Sequence, residues 1–387
     1  MTSNIKTLKK QIESYFHNTY LVKYPVEIRN MLVHLFNDGK RIRPILFIAF
    51  NHIDSIESID LSDASKDSVE PASSINWIEY AIEIELVHCL SLVIDDLPDM
   101  DNELERRGKT CFHITFGLQK TEFFLYYLFS KLSSNLTNLL KFHNRNNYIT
   151  PNTILYDASF IIHYLINNLI DGQYIDITSS RIMKSDLQKV IDSNINMVVQ
   201  LILSIYNTTI NDEKELPSSE IDNYIILNIK KTGTLFALPI ITGFLFQIYK
   251  KNLEYTGKEI MEDEFYLATN TEKDDDNKVT SLNKLNLGDY NILNLIMTWS
   301  MILGFLFQTS DDLLDMIPDS KNGKPNICNI LGTENSIKLL YKCMVIMREM
   351  FEYIYKNTQR IWPSIILDIE SINHIFDLIE SRYQLTS

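Results

Sequence analysis

The sequence contains few of the residues that interrupt helices and few that cross-link small domains. Its 387 residues include only 11 glycines, 10 prolines and 4 cysteines, and no two cysteines form a CxxC pair. A chain of this length can bury a core without disulfides, so we expect reduced thiols and a cytoplasmic location. The first twenty residues lack the apolar run of a signal peptide, which agrees with that expectation.

Basic charge is also in short supply. Lysine and arginine number 36 against 50 acidic residues, which leaves a net charge of −14. Nucleic acids and anionic membrane surfaces attract basic proteins, so this balance argues against either as the main partner. An anionic ligand would need a cation between itself and the protein.

Uncharged apolar runs of membrane-spanning length are scarce. Residues 292–310 come nearest, but polar residues such as Asn294 and Gln308 interrupt this run. Two aspartates follow it directly, without basic residues beside it. We therefore predict a buried core helix and no stable membrane insertion.

Helical periodicity dominates what is present. Apolar residues, 45% of the chain, recur with helical spacing, and strand-like alternation is rare. This pattern predicts an all-α fold of about a dozen helices in one domain over residues 1–387. Polar stretches at 52–74, 142–152 and 250–279 are expected to be surface insertions or mobile loops, because similar helical segments flank each of them.

Two acidic clusters stand out, DDLPDMD at 95–101 and DDLLD at 311–315, and each follows an apolar segment. Pro98 should end the first helix, which places its aspartates at a helix C-terminus. Negative charge there opposes the helix dipole by about 0.3–1 kcal/mol per residue. Asp95 and Asp99 would also repel each other at i, i+4. These costs are expected where carboxylates bind a hard cation such as Mg²⁺.

The repetition of this pattern favours one shared metal site. A single cluster is equally compatible with a solvated acidic turn. Two clusters far apart in the sequence can face each other in a helical bundle, where metal sites are built from carboxylates on facing helices.

Three basic segments supply the opposite charge: GKRIRP at 39–44, ERRGK at 105–109 and KKTG at 230–233. Arginine forks match phosphate oxygens, and lysine supplies a point charge. Each segment alone would be interpreted as a surface patch. Together with the acidic clusters they predict two anionic groups, one bound through metal and one bound directly.

These segments, in this order, resemble those of the trans-isoprenyl diphosphate synthases. Further matching segments are DGQYIDI at 171–177, FQTSDDLLD at 307–315 and GKPNICNILG at 323–332. The first cluster has the family's long form, with two more residues between its outer aspartates. The resemblance implies an all-α bundle of the isoprenoid synthase type, which joins isopentenyl diphosphate to an allylic diphosphate with Mg²⁺ and acts as a homodimer.

The resemblance also implies roles for individual residues. Isopentenyl diphosphate would be bound by Lys40, Arg43, His88 and Arg107, with Phe307 against its hydrocarbon group. Mg²⁺ would be bound by Asp95, Asp101 and Asp311, supported by Asp96, Asp99, Asp312 and Asp315. Arg106 and Lys231 would hold the allylic diphosphate, while Lys231, Thr232 and Gln308 would stabilise the allylic cation. Lys321 and Lys324 match the lysines after the second cluster only loosely, and Lys324 is the predicted substrate contact.

His88 has a second interpretation. A histidine on an apolar helix is often a core residue with satisfied hydrogen bonds. His88 lies seven residues before Asp95, on the same helical face, where the resemblance places a diphosphate-binding side chain.

The charges indicate the chemistry. Mg²⁺ would neutralise the allylic diphosphate as its C–O bond breaks, and the double bond of isopentenyl diphosphate would attack the cation. The departing pyrophosphate would take the proton, because the sequence shows no Ser/His/Asp or Cys/His constellation.

Product length depends on the residues before Asp95 on the same helix. In the family an aromatic residue five positions earlier, roughly 7.5 Å along the helix, stops growth at fifteen carbons. Leu90 and Ser91 are smaller, which predicts geranylgeranyl diphosphate as the main product and farnesyl diphosphate as the alternative. Aromatic residues on the next helix, Phe123, Phe124 and Tyr127, would shorten the product if they closed the tunnel.

Three other classes of protein remain open. A terpene cyclase would not need a second diphosphate site, so GKRIRP counts against it. A catalytically silent partner subunit would be expected to lose acidic clusters, and both are intact. A membrane-embedded prenyltransferase would need several spans.

Overall fold

The computed structural model describes residues 3–36, 39–51, 77–141, 153–178, 193–210, 218–250, 265–268, 282–285, 292–315 and 325–384. The predicted insertions at 52–74 and 142–152 lie outside these residues, as do Lys321 and Lys324.

The chain divides into two compact units. The first comprises Met1–His163 with Thr242–Leu245, and the second comprises Tyr164–Ile241 with Phe246–Ser387. No observation tests the prediction of one domain over residues 1–387.

Helices and one short hairpin form most of the described part of the first unit. They are α1 (Ser3–Tyr15), a π turn (Phe16–Tyr20), a 3₁₀ turn (Leu21–Lys23), α2 (Val26–Phe36), α3 (Ile42–Asn51), α4 (Trp77–Asp95), β1 (Glu105–Arg106), β2 (Lys109–Thr110), α5 (Phe112–Phe116) and α6 (Leu118–Lys141).

Helices also dominate the rest of the described chain, which confirms the all-α prediction. They are α7 (Thr153–Thr178), α8 (Ser193–Thr209), α9 (Ser218–Asn228), a π turn (Ile229–Gly233), α10 (Thr234–Lys250), α11 (Ile292–Leu314), α12 (Ile327–Leu331), α13 (Thr333–Ile361) and α14 (Ile369–Gln384). Strands β3 (Phe265–Ala268) and β4 (Leu282–Leu285) pair antiparallel, and β3 lies within the predicted 250–279 insertion.

Helix α4 carries the first acidic cluster at its C-terminus, as predicted. Most of its side chains are buried, because apolar residues occur on every face. The helix ends at Asp95, three residues before Pro98. Asp99 therefore lies beyond the helix, and the predicted i, i+4 repulsion between Asp95 and Asp99 was wrong.

Helix α11 carries the second cluster and is the predicted core helix. It packs against α13, α14 and the π turn Ile229–Gly233. Gly304 permits the close contact with that turn, since a Cβ there would lie 2.7 Å from the Cα of Gly233. In the described chain, Glu220–Ile248 and Ile292–Leu314 are apolar and long enough to cross a membrane, but 89% of the apolar window of each is buried in the protein.

Candidate active site

The chain folds back on itself after Asp95. The amide of Asp101 donates to the carbonyl oxygen of Asp95 at 3.0 Å, and the amide of Asn102 donates to the carbonyl of Leu97 at 3.0 Å. Asn102 adopts the left-handed region, with φ of 53°, to close this turn. The turn therefore brings Asp95 and Asp101 together, with Asp99 exposed at its outer side.

Asp96 points away from solvent and is held by two donors. The Arg106 guanidinium lies 2.6 and 2.7 Å from Oδ1 of Asp96. The thiol of Cys111 donates to Oδ2 at 3.4 Å. Burial, with the Asp96 charge adding to it, raises the pKa of Cys111 to about 12, so the thiol stays protonated as a donor.

A tight hairpin presents the arginine pair of the first unit. Strands β1 and β2 are joined by Arg107 and Gly108, whose φ angles are 55° and 74°. Two successive positive φ values are typical of a type I′ turn, which suits a two-residue hairpin loop. The hairpin turns Arg106 back onto Asp96 and leaves the side chain of Arg107 exposed.

The three cationic side chains of the GKRIRP segment differ in their exposure to solvent. Arg41 is buried, with its guanidinium 3.5 Å from Glu85 and 3.8 Å from the centre of the Phe36 ring. We therefore assign Arg41 to the core of the unit. Lys40 is exposed and Arg43 is buried at the start of α3.

His88 lies in the field of these arginines. Burial is the largest cause that holds the pKa of His88 well below its usual value, followed by the charges of Arg43 and Arg107 and, to a smaller extent, Arg106 and Arg41. The imidazole is therefore neutral near pH 7. Its Nδ1 is buried and has no hydrogen-bond partner among the described residues. A histidine of the core would be expected to have hydrogen-bond partners for its ring nitrogens. The unpartnered Nδ1 therefore favours the interpretation that His88 binds an anionic ligand.

A small open pocket with a volume of about 70 Å³ lies beside Arg106 and Arg107. Its polar wall includes Asp96, Arg106 and Lys109, and its apolar wall includes Val93 and Phe112. Charged groups beside an apolar surface are suited to a ligand with an anionic end and a hydrocarbon end.

The second cluster places its three aspartates in different surroundings. Asp311 receives the guanidinium of Arg382, whose Nη1 lies 2.8 Å from Oδ1. Asp312 is buried and accepts hydrogen bonds from Tyr224 and Gln308. Asp315 is exposed, and its amide donates to the carbonyl of Asp311 at 3.0 Å.

The π turn Ile229–Gly233 directs two adjacent lysines to different acceptors. Lys230 is fully buried and donates to Asn168 at 2.8 Å and Asp171 at 3.0 Å. Lys231 is partly exposed and donates to Asp176 at 2.6 Å. The wider turn of a π-helix is often found at functional sites and accounts for this separation.

Gln308 and Thr232, both predicted to stabilise a cation, lie in contact. Thr232 Oγ1 donates to Gln308 Oε1 at 3.2 Å. Phe307, the residue before Gln308, is buried between Phe236, at 5.1 Å between ring centres, and Arg382, whose guanidinium lies 4.0 Å from the centre of the Phe307 ring. Phe307, Gln308 and Thr232 therefore form one cluster in the second unit.

The residues predicted to set product length are buried on α4. Leu90 and Ser91 are both buried, and the Ser91 hydroxyl donates to the carbonyl of His88 at 2.8 Å. On α6, Phe124 is buried against Phe112, at 5.1 Å between ring centres, whereas Phe123 is 76% exposed. Phe123 therefore points away from the core of its unit.

Sequence reasoning missed three contacts of the predicted site residues. Arg382 on Asp311, Asp176 on Lys231 and Tyr224 on Asp312 join positions 71, 55 and 88 residues apart. Only Asp176 had a sequence signal, since it belongs to the DGQYIDI segment.

The donor set fits magnesium, although the described residues contain no group of three or more histidine, cysteine, aspartate or glutamate side chains arranged to hold a metal by themselves. Mg²⁺ is usually bound by one or two carboxylates together with waters and substrate phosphates. The turn of Asp95 and Asp101 and the helix end of Asp311 each offer such carboxylates. That the two clusters face each other stays a prediction.

Comparison of the sequence with known proteins identifies the family. A model described as polyprenyl synthetase matches residues 25–262, more than half of the chain. A geranylgeranyl diphosphate synthase of Cyanophora paradoxa is 25% identical over 316 residues, which cover 78% of this chain and 72% of that protein. The mitochondrial geranylgeranyl pyrophosphate synthase 10 of Arabidopsis thaliana is 33% identical over 118 residues, 30% of this chain and 29% of that protein.

Solved structures show the fold. A geranyltransferase from Legionella pneumophila has a TM-score of 0.58 at 16% identity and covers 98% of this chain and 96% of its own. A geranyltranstransferase from Thermotoga maritima has a TM-score of 0.55 at 16% identity, with coverage of 99% and 98%. A Helicobacter pylori geranyltransferase complexed with magnesium and isoprenyl diphosphate has a TM-score of 0.50 at 18% identity, with coverage of 98% and 97%. Sequence and fold therefore agree that the chain belongs to the polyprenyl synthetase family and is a prenyltransferase.

Proposed function

We propose that this protein condenses isopentenyl diphosphate with an allylic diphosphate and that its main product is geranylgeranyl diphosphate. The observation that carries the proposal lies within the first unit: Asp95 and Asp101 are joined in one acidic turn, and neutral His88 lies in the field of four arginines. An acidic turn is suited to a metal-bound diphosphate, and an arginine field is suited to a second diphosphate bound directly.

We propose that Mg²⁺ binds the acidic clusters together with the allylic diphosphate. The metal would supply positive charge for the departing diphosphate. The proposed ligands are the carboxylates of Asp95, Asp101 and Asp311, with Asp96, Asp99 and Asp315 in supporting positions. Arg106, which bridges to Asp96 in this structure, would turn its fork to the same diphosphate.

The remaining cations would hold isopentenyl diphosphate. Exposed Lys40 and Arg107 would contact its outer oxygens, and buried Arg43 and neutral His88 its inner side. A neutral imidazole can donate one hydrogen bond to a phosphate oxygen. Fixing both substrates in this way would convert a bimolecular reaction into an intramolecular one.

The second unit would stabilise the allylic cation. The side-chain oxygen atoms of Thr232 and Gln308 lie 3.2 Å apart and are joined by a hydrogen bond. Lys231, held by Asp176 in this structure, would contact the diphosphate as it leaves. Oriented oxygen dipoles that need no rearrangement lower the barrier to forming a charge.

Buried Leu90 supports the twenty-carbon product, since its side chain is shorter than that of an aromatic residue. Exposed Phe123 also supports it, because this side chain does not narrow the space beside α4 from within its unit. Farnesyl diphosphate is the second candidate, since Phe124 is buried on the same helix as Phe123.

We also propose a homodimer. Helix α6 exposes Phe123, Tyr126 and Phe129, which share one helical face, and a second copy of the chain would cover them. Sedimentation of the protein should give the mass of a dimer, and Phe123→Glu should shift it to the monomer. A monomeric wild type would contradict this proposal.

The test of the reaction uses labelled isopentenyl diphosphate. Each allylic primer is added in turn, with Mg²⁺ or with EDTA, and the dephosphorylated products are separated by chromatography. We expect twenty-carbon product with Mg²⁺ and none with EDTA. Mg²⁺ with a diphosphate analogue should also raise the melting temperature, because a ligand of the folded state stabilises it. Failure of every primer to yield product would overturn the proposal.

A further inference from the structure

A chain of hydrogen bonds runs from Thr232 to Asp312. Thr232 Oγ1 donates to Gln308 Oε1 at 3.2 Å, and Gln308 Nε2 donates to Asp312 Oδ1 at 2.9 Å. Gln308 and Asp312 are one turn apart on α11, so the helix itself sets this spacing. The oxygen of the Gln308 amide thus accepts from a hydroxyl, and its nitrogen donates to a carboxylate.

Asp312 is held by donors on its other oxygen. Tyr224 donates its hydroxyl to Oδ2 at 2.6 Å, and the amide of Ile327 donates to the same atom at 2.9 Å. The side-chain amide of Asn326 donates to the carbonyl oxygen of Asp312 at 2.9 Å. Asp312 is only 2% exposed. Its carboxylate is therefore fixed by α9 and by the segment that opens α12.

Asp312 determines which group donates and which accepts in each of these hydrogen bonds. An ionised carboxylate only accepts hydrogen bonds, so it selects the NH₂ end of Gln308. The oxygen of Gln308 must then face Thr232, which uses its hydroxyl hydrogen for this bond. The lone pairs of the Thr232 oxygen remain for other groups. A neutral amide at position 312 could either donate or accept. The Gln308 amide could then rotate by 180° and exchange its oxygen and its NH₂ group.

We infer that Asp312 is a positioning residue that orients Gln308 and Thr232, and that it is not a ligand of the metal. The inference rests on the proposed function, in which Gln308 and Thr232 stabilise the allylic cation. The resemblance to the family predicted that Asp312, like Asp315, supports Asp311 in binding the metal. The structure distinguishes Asp312, because both of its carboxylate oxygens accept hydrogen bonds, Oδ1 from Gln308 and Oδ2 from Tyr224 and Ile327.

The first test replaces Asp312→Asn, which keeps the size of the side chain and changes one oxygen to NH₂. We expect the turnover number to fall by about a hundredfold to a thousandfold, the range found when one preorganised hydrogen-bond donor is lost. The KM values of both substrates and the Mg²⁺ concentration for half-maximal rate should stay within about twofold of wild type. The matched control is Asp311→Asn, which should raise the Mg²⁺ requirement.

A second variant exchanges the donor and the acceptor between positions 308 and 312. Asp312→Asn combined with Gln308→Glu lets the new amide donate to the new carboxylate, whose other oxygen still accepts from Thr232. We expect this double variant to recover most of the turnover lost in Asp312→Asn. A purely structural role of Asp312 would give no such rescue, since Gln308→Glu adds nothing to the bonds from Tyr224 and Ile327.

The outcomes separate the inference from the proposed function. If wild type forms no prenyl product, the proposed function fails before any variant is compared. If wild type is active and Asp312→Asn raises the Mg²⁺ requirement as Asp311→Asn does, Asp312 is a metal ligand and the inference is overturned. Melting temperatures show whether each variant folds. Absence of rescue in a folded double variant would also overturn the inference.

Discussion

Arg382, on the last helix of the described chain, lies directly against Asp311 of the second acidic cluster. Its Nη1 is 2.8 Å from Asp311 Oδ1 and 2.8 Å from the hydroxyl of Ser310. Burial lowers the pKa of Arg382, although the charges of Asp311 and Asp315 oppose this effect. One oxygen of Asp311 is thus fixed by a guanidinium, and the carboxylate is oriented before any metal binds.

Replacing this guanidinium should weaken metal binding and the fold together. Arg382→Gln should raise the Mg²⁺ concentration for half-maximal rate, because Asp311 would lose its fixed orientation. It should also lower the free energy of unfolding by about 1–3 kcal/mol, the cost of leaving buried polar groups without partners. Metal titration of the rate and denaturant unfolding measure the two effects.

Arg382→Lys is the matched control, since it keeps the charge and loses the fork. We expect an intermediate Mg²⁺ requirement. An unchanged requirement in Arg382→Gln would mean that Arg382 has only a structural role.

The basic residues should separate by substrate. Lys40→Ala and Arg43→Ala should raise the KM for isopentenyl diphosphate by roughly tenfold or more, since a hydrogen bond to a charged group contributes about 1.5–3 kcal/mol. Lys231→Ala should raise the KM for the allylic primer or lower the turnover number. Initial rates with each substrate varied in turn provide the measurement, and equal effects on both substrates from all three changes would refute two separate diphosphate sites.

Stability should depend on pH through Glu83 of α4. Burial is the main cause that raises the pKa of Glu83 from 4.5 to about 8, against a hydrogen bond from Asn135 that lowers it. The folded state thus holds a proton that the unfolded state releases. The stability that this proton contributes is fully present below pH 4.5 and is lost as pH rises through about 8.

Glu83→Gln removes the titrating group and keeps the shape of the side chain. The melting temperature of this variant should fall less than that of wild type across the same pH window. Parallel pH profiles for the two proteins would show that Glu83 does not titrate in this range.

Product length should respond to Leu90. Leu90→Phe should shift the main product from twenty to fifteen carbons, because a larger side chain shortens the space along α4. The control is Leu118→Phe, the same change at an exposed leucine, which should leave the products as they are. If Leu90→Phe gives an unchanged product distribution, Leu90 does not line the path of the growing chain.

The local parts of this site could be predicted from the sequence, because they depend on nearby residues. Helical spacing and Pro98 placed Asp95 at a helix end, and the structure confirms this. The same reasoning extended the helix too far. The amide of Asp101 donates to the carbonyl of Asp95, and with this fold-back the helix ends three residues before Pro98.

The long-range parts could not be predicted in this way. Spacing placed Asp311, Asp312 and Asp315 in one cluster, and the family resemblance assigned all three to the metal site, with Asp311 as the ligand. Their different partners come from other helices, such as Arg382 on α14 and Tyr224 on α9. Periodicity gives no information on which distant side chain meets which carboxylate.

We propose that both acidic clusters act on one metal-bound diphosphate. The most direct measurement is the turnover number of Asp95→Ala and of Asp311→Ala across a Mg²⁺ titration, with circular dichroism to show that the helices remain. We predict a loss of about a hundredfold or more in each variant, because the departing diphosphate would lose positive charge from the Mg²⁺ that these carboxylates would hold. Near-normal turnover of Asp311→Ala throughout the titration would contradict the claim.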